Sequence, residues 1–357
     1  MSSVKAKTLL LSLLGVGAPM SGCEGEPEEQ LPELSEHGMY VSMGIEGEAS
    51  PCGGTLVWMD RHVEALGVLF ERSVADVSIE YYWLRQASVD ELCGLDAYAC
   101  ALPGGVYSSG PLVEHEFVHA VVNGWTGPGE RFFDEGLAVA LGDHIFGPYV
   151  AEEFDEALSM IGADRKLEID YPTAGAFVTD LIEVHGASAV LAFYDGTDRN
   201  DSGEAIAELF EQAFGSSLEA AHQAFLARGR GCTMLLPACS LPPVAWDVDA
   251  WAVDAGVSCS VDGLGPDAGP ETLGGTPWGF TSFEISSAGS YRLELDGPAY
   301  PMFAHHCGPC AERAPSVAFG VPGEAEPVEL AAGRYVVRLP GSPSYDRVYP
   351  LRVVPEG

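Results

Sequence analysis

His115 and His119 bracket Glu116-Phe-Val, and these residues carry the most chemistry in the chain. On a helix, positions four apart lie one turn above each other, so both imidazoles face the same way and can share one metal ion. Glu135 follows His119 after fifteen intervening residues, inside Phe132-Phe-Asp-Glu-Gly-Leu-Ala138, and supplies a carboxylate on a second apolar stretch. Two histidines, one carboxylate and an open fourth position are the donor set of a catalytic zinc site. Glu116, beside the first ligand, is placed to take a proton from metal-bound water. The chemistry this predicts is hydrolysis, in the first instance of a peptide bond.

These residues need elements to hold them. Phe117, Val118, Val121 and Val122 surround the histidines, as a helix buried in a domain requires, and Pro111 is expected to open that helix. Upstream, Met39–Ile45 is a short β-like run and Trp58–Arg72 carries Val63, Leu66, Leu69 and Phe70 at helical spacing. Val77–Leu84 alternates and is aromatic, hence a strand. Gly105–Ser109 is expected to be an edge strand able to receive an extended peptide. Helices are expected at about 133–145, 150–163, 173–186, 204–214 and 217–229. From Cys232 onwards glycine, proline and short alternating runs take over: Ser282–Ile285, Tyr291–Leu295, Arg334–Leu339 and Leu351–Val354. The expected fold class is therefore α+β, a small sheet plus helical bundle over 37–235, followed by an all-β sandwich over 245–357. The boundary falls in Leu236–Val244, which holds three prolines.

The two motifs together resemble the gluzincins, zinc peptidases with His-Glu-x-x-His and a downstream glutamate ligand. Phe-Phe-Asp-Glu135-Gly-Leu-Ala is similar to the aromatic-x-x-Glu-Gly-aliphatic-Ala segment of the alanyl aminopeptidase-like branch. Tyr171-Pro-Thr-Ala-Gly-Ala-Phe-Val-Thr-Asp-Leu-Ile resembles the helix that follows in smaller members. The resemblance implies a zincin-like metallopeptidase domain, with His115, His119 and Glu135 as zinc ligands and Glu116 as general base. It also implies a tyrosine that stabilises the oxyanion, for which Tyr171 is the candidate and Tyr149 the reserve. Two departures stand out. The Gly-x-Met-Glu-Asn element that holds a substrate amine in the aminopeptidase branch is absent upstream of His115. Val139 occupies the position where the thermolysin-like branch keeps a carboxylate to orient a histidine, which leaves Asp134 and Asp143 as alternatives for that task.

The N-terminus reads as an address. Lys5 and Lys7 precede an apolar run, Leu9–Ala18, too short to span a bilayer, and Met20-Ser-Gly-Cys23 resembles a lipobox. A signal peptide over 1–22, lipid anchoring to a membrane at Cys23 and an acidic tether over 23–36 follow, in an extracytoplasmic bacterial lipoprotein. Setting Cys23 aside leaves eight of the nine cysteines, an even number suited to disulfides in an oxidising compartment. Cys93 with Cys100 and Cys232 with Cys239 are near enough in sequence to be local pairs. The balance of 17 basic against 53 acidic residues repels nucleic acid and anionic lipid, so the expected partner is a peptide or protein substrate and no nucleic acid.

Weaker signals are Cys307-Gly-Pro-Cys310, with the spelling of a redox site among β-runs, and Asp198–Gly203, the first half of a calcium loop with Leu209 where the closing glutamate belongs. A structural disulfide and a polar helix cap are the plainer expectations. The competing function is a surface binding lipoprotein that keeps a metalloprotease-like scaffold without its activity.

Overall fold

The computed structural model describes residues 31–142, 157–164, 169–228, 232–246, 250–267, 276–296, 302–309, 317–342 and 346–356. The chain opens with strands β1 (Leu34–His37) and β2 (Val41–Ile45), helix α1 (Thr55–Phe70), strand β3 (Ile79–Trp83), helix α2 (Gln86–Cys93), and strands β4 (Ala99–Leu102) and β5 (Gly105–Ser108). They form one sheet of order β1-β2-β3-β5-β4, in which β2, β3 and β5 are parallel and the two outer strands antiparallel. Alternation along β3 makes both faces apolar. Ile79, Tyr81 and Trp83 enter the main core with Met59, Val63 and Leu66 of α1, while Tyr82 joins Leu84, Val89 and Tyr107 beneath α2.

Two expectations are corrected here. Gly105–Ser109 is not an edge, because the Cys93–Cys100 disulfide closes a short loop and Ala99–Leu102 folds back onto β5. The free edge on that side belongs to β4. The segment read as a tether through residue 36 ends in a strand, since Leu34–His37 pairs with β2. The signal run and Cys23 lie outside the described residues.

Helices follow: α3 (Glu114–Thr126), α4 (Arg131–Leu141), α5 (Tyr171–His185), α6 (Ala187–Asp195), α7 (Gly203–Phe214), α8 (Leu218–Arg228) and the short α9 (Leu236–Cys239). The metal-motif helix begins at Glu114, three residues after Pro111. Of the stretch expected as helix at 150–163, residues 157–160 form a 3-10 turn, and those before them lie outside the described residues. Helix α6 has no stripe to betray it, because Ala-Ser-Ala-Val-Leu-Ala-Phe-Tyr is apolar nearly all round. Gly186 (φ 84°) makes the corner between α5 and α6, which meet at 118°. Among the described residues no single helix is long and apolar enough to cross a membrane.

The remaining strands are β6 (Trp251–Val257), β7 (Leu264–Asp267), β8 (Thr276–Ile285), β9 (Gly289–Leu295), β10 (Phe303–His306), β11 (Val317–Ala318), β12 (Val328–Leu330), β13 (Gly333–Pro340) and β14 (Arg347–Pro355). They build a five-stranded sheet, β11-β10-β13-β8-β7, and a four-stranded sheet, β12-β9-β14-β6. Trp251, Phe283, Leu293, Tyr335, Tyr349 and Leu351 fill the core between them. The outer face of the larger sheet is covered as well: Val336 and Leu264 belong to the core of the helical part, and Phe280 stacks on Trp58 at 4.7 Å. Residues 32–357 accordingly form one compact unit.

Disulfides sew this contact. Cys52 bonds Cys259, 207 residues on, and Cys239 bonds Cys307. The expected Cys93–Cys100 pair is present, but Cys232–Cys239 is not, because α9 packs between α1 and β13 and brings Cys239 to the sandwich. Cys232 is disulfide-bonded as well. Since Cys307 bonds Cys239, it does not form a vicinal pair with Cys310. These disulfides fit an oxidising, non-cytoplasmic compartment.

Candidate metal centre

The strand-to-helix turn that delivers α3 is pinned by side chains. Tyr81 Oη donates to the Gly110 carbonyl at 2.7 Å and Trp83 Nε1 to the Ser109 carbonyl at 3.1 Å. Ser108 Oγ accepts from Gly110 N at 3.0 Å. From there α3 buries Phe117, Val118, Val121 and Val122, with His115 and His119 along one margin of that buried face. Helix α4 starts at an N-cap supplied by buried Glu130, whose carboxylate accepts from Phe132 N (2.9 Å), Phe133 N (3.3 Å) and Gly162 N (3.0 Å). Its Gly136 lets α4 lie close on α5, since a Cβ there would stand 2.9 Å from the Ala174 carbonyl oxygen. That close approach brings Glu135 over the histidines.

The three side chains converge. His115 Nε2 and His119 Nε2 are 3.2 Å apart, Glu135 Oε2 is 3.2 Å from the first, and 3.4 Å from the second. Ligands about 2.05 Å from a tetrahedral ion stand about 3.3 Å from one another, so these distances are three edges of such a polyhedron. Among the described residues, His115, His119 and Glu135 make up a group able to hold a metal ion. The donor set, two imidazoles and a carboxylate, suits a first-row divalent ion. Side-chain exposures of 12%, 11% and 17% leave the three donors largely shielded but within reach of solvent.

A second layer fixes this arrangement. His119 Nδ1 lies 3.0 Å from Asp134 Oδ1, and because an ionised carboxylate only accepts, Nδ1 carries a proton and Nε2 is the nitrogen that faces the other two side chains. Asp134 also accepts from Tyr194 Oη at 2.6 Å and from Arg199 at 3.1 Å. Burial alone would raise the Asp134 pKa, but the His119 and Tyr194 hydrogen bonds hold it below the ordinary value. Burial likewise works against charge on His119, yet Asp134 and Glu135 outweigh it and push that imidazole up to about 10. Glu135 is pulled well below the carboxylate range by the two histidines, against the opposing effect of burial. The pocket is thus strongly electronegative and pre-charged for a cation.

Tyr171, at the start of α5, has its ring 5.8 Å from that of His115 and is 41% exposed. Burial of its hydroxyl and the nearby Glu135 charge raise its pKa, while a hydrogen bond from Arg131 lowers it. Glu116 is buried in the first turn of α3, and its charge acts on both His119 and Tyr171. All five side chains singled out from the sequence therefore share one neighbourhood. Of the two carboxylates left open as the histidine's partner, Asp134 makes the contact; Asp143 and Tyr149 lie outside the described residues. Asn123, Tyr194, Arg199 and Arg131 were not foreseen. Asn123 alone carried a signal, being four residues past His119 and so on its face of the helix.

The calcium-like loop closes on itself: Asp198 Oδ1 accepts from Asn200 N at 2.8 Å, and Ser202 caps α7. His306 is held at 3.2 Å by the Ala332 carbonyl and at 3.3 Å by Gly308 N. In comparisons with known proteins, no family model matches the chain and no curated protein matches it.

Proposed function

We propose that this chain is a zinc-dependent peptidase of gluzincin type, tethered outside the cytoplasm through Cys23. The observation that carries the reading is the set of three donor distances, 3.2, 3.2 and 3.4 Å, beside a buried glutamate on the same helix turn. Zinc, when bound, supplies Lewis acidity, lowering the pKa of a water towards about 7 and polarising a carbonyl. Glu116 would serve as the general base and acid, holding a proton and returning it to the leaving nitrogen. Tyr171 would donate a hydrogen bond to the carbonyl oxygen as charge develops there. Asp134 would keep His119 Nε2 turned towards a bound ion.

An extended peptide finds main-chain partners along the free edge of β4, which packs against α3. This replaces β5 as the strand able to take a substrate. The test is Glu116→Gln, which keeps shape and removes the base. Zinc content should be unchanged while peptide turnover drops by about 10²–10⁴-fold. Unchanged turnover would contradict the mechanism, and the binding lipoprotein would then be the better account.

A further inference from the structure

We propose that Tyr194 is the positioning residue that locks Asp134, and through it the His119 imidazole, for metal binding; this rests on the metal-site reading above. Tyr194 comes from α6, 60 residues beyond Asp134, and is 1% exposed. Its hydroxyl stands among three groups: Asp134 Oδ1 at 2.6 Å, the Asn123 side-chain amide at 2.6 Å, and Gly129 N at 2.9 Å. A phenol has one proton to give and two lone pairs to fill. The ionised Asp134 is the stronger acceptor and takes the proton. Asn123, whose amide oxygen and nitrogen exchange by a half-turn, then donates to the phenol oxygen alongside Gly129 N.

Both lone pairs are thereby used, and the O–H has one direction left, towards Asp134. The site is built around this hydroxyl. A Cβ on Gly129 would come within 2.5 Å of the Tyr194 ring, so glycine is required where the α3–α4 loop passes. A rotation of the Asp134 carboxylate away from His119 would also break the Tyr194 bond, because both partners use the same oxygen. Arg199 holds the other oxygen at 3.1 Å, but its side chain is 60% exposed, and an exposed ion pair is a weak restraint.

The experiment is a double-mutant cycle read out as zinc affinity by chelator competition. Tyr194→Phe keeps the ring in the core and should raise the zinc Kd about tenfold. In an Asp134→Asn background the same change should add less than about twofold, because the group it acts through is already altered. A merely structural role would instead multiply the loss in both backgrounds. Arg199→Gln, at the surface, should fold normally and weaken zinc less than Tyr194→Phe; a larger effect would overturn Tyr194 as the anchor. Zinc affinity of Tyr194→Phe equal to wild type overturns this proposal alone. A wild-type chain that binds no zinc overturns the metal reading with it.

Discussion

Tyr171 has its ring 5.8 Å from that of His115, and in the proposed mechanism it is the donor to a developing oxyanion. Tyr171→Phe should therefore leave zinc binding intact and lower kcat by about 10²-fold with KM little changed, which steady-state kinetics checks. An equal loss of zinc would instead make Tyr171 a support for His115. At this scale the cluster of His115, His119 and Glu135 was legible in the sequence, because a four-residue step on a helix fixes which way two histidines face. Asp134 could be narrowed to one of two carboxylates. Tyr194 could not be found, since it reaches Asp134 across 60 residues of chain with no local pattern to announce it.

Between elements, the α4–α5 contact carries the ligand geometry. A Cβ at Gly136 would meet Val178 Cγ2 at 2.6 Å and the Ala174 carbonyl oxygen at 2.9 Å. Gly136→Ala should destabilise by about 1–3 kcal/mol and weaken zinc, since α4 must move with Glu135 and Asp134 on it; denaturant titration and chelator competition check both. Helix α1 adds a pH dependence. His62 is fully buried, with Nε2 2.9 Å from the Leu141 carbonyl, and burial pushes it down to about 4. Above about pH 6.5 both folded and unfolded chains hold it neutral, so its contribution is complete there. As pH falls towards 4 the unfolded chain gains a proton that the folded one refuses, and stability drops by up to about 3 kcal/mol.

Glu114, pushed up to about 7 by burial, titrates in the same window with opposite sign, since its folded form gains relative stability as pH falls from 7 towards 4.5. The difference between wild type and His62→Gln at pH 7 and pH 5 isolates the histidine. The expected result is a smaller loss on acidification in the variant. Sequence periodicity located α1, β3 and most helices because each has a buried stripe or alternation. It misread β5 as an edge, because pairing with β4 depends on a disulfide-closed loop whose return path no local spacing encodes.

At the scale of the whole molecule, the β-sandwich was visible as alternating runs between glycine and proline turns, but its union with the helical part was not. Val336 and Leu264 enter the core of the helical part, Phe280 stacks on Trp58, and Cys52–Cys259 spans 207 residues. Such contacts depend on which outer faces of a sheet are apolar, and Trp278, Phe280 and Val336 reveal that only once β8 and β13 are paired. Two predictions follow from the union. Thermal unfolding should be a single transition reporting from both parts, and Cys52→Ser with Cys259→Ser should lower stability by about 2–5 kcal/mol, seen as a lower denaturant midpoint. The chain carries 53 acidic against 17 basic residues, a balance that favours the approach of a cation. The most direct measurement is therefore the metal content of the purified chain, by elemental analysis after dialysis against metal-free buffer. About one zinc per chain, lost in His119→Ala, is the predicted result; no zinc even after remetallation would contradict the account at its centre.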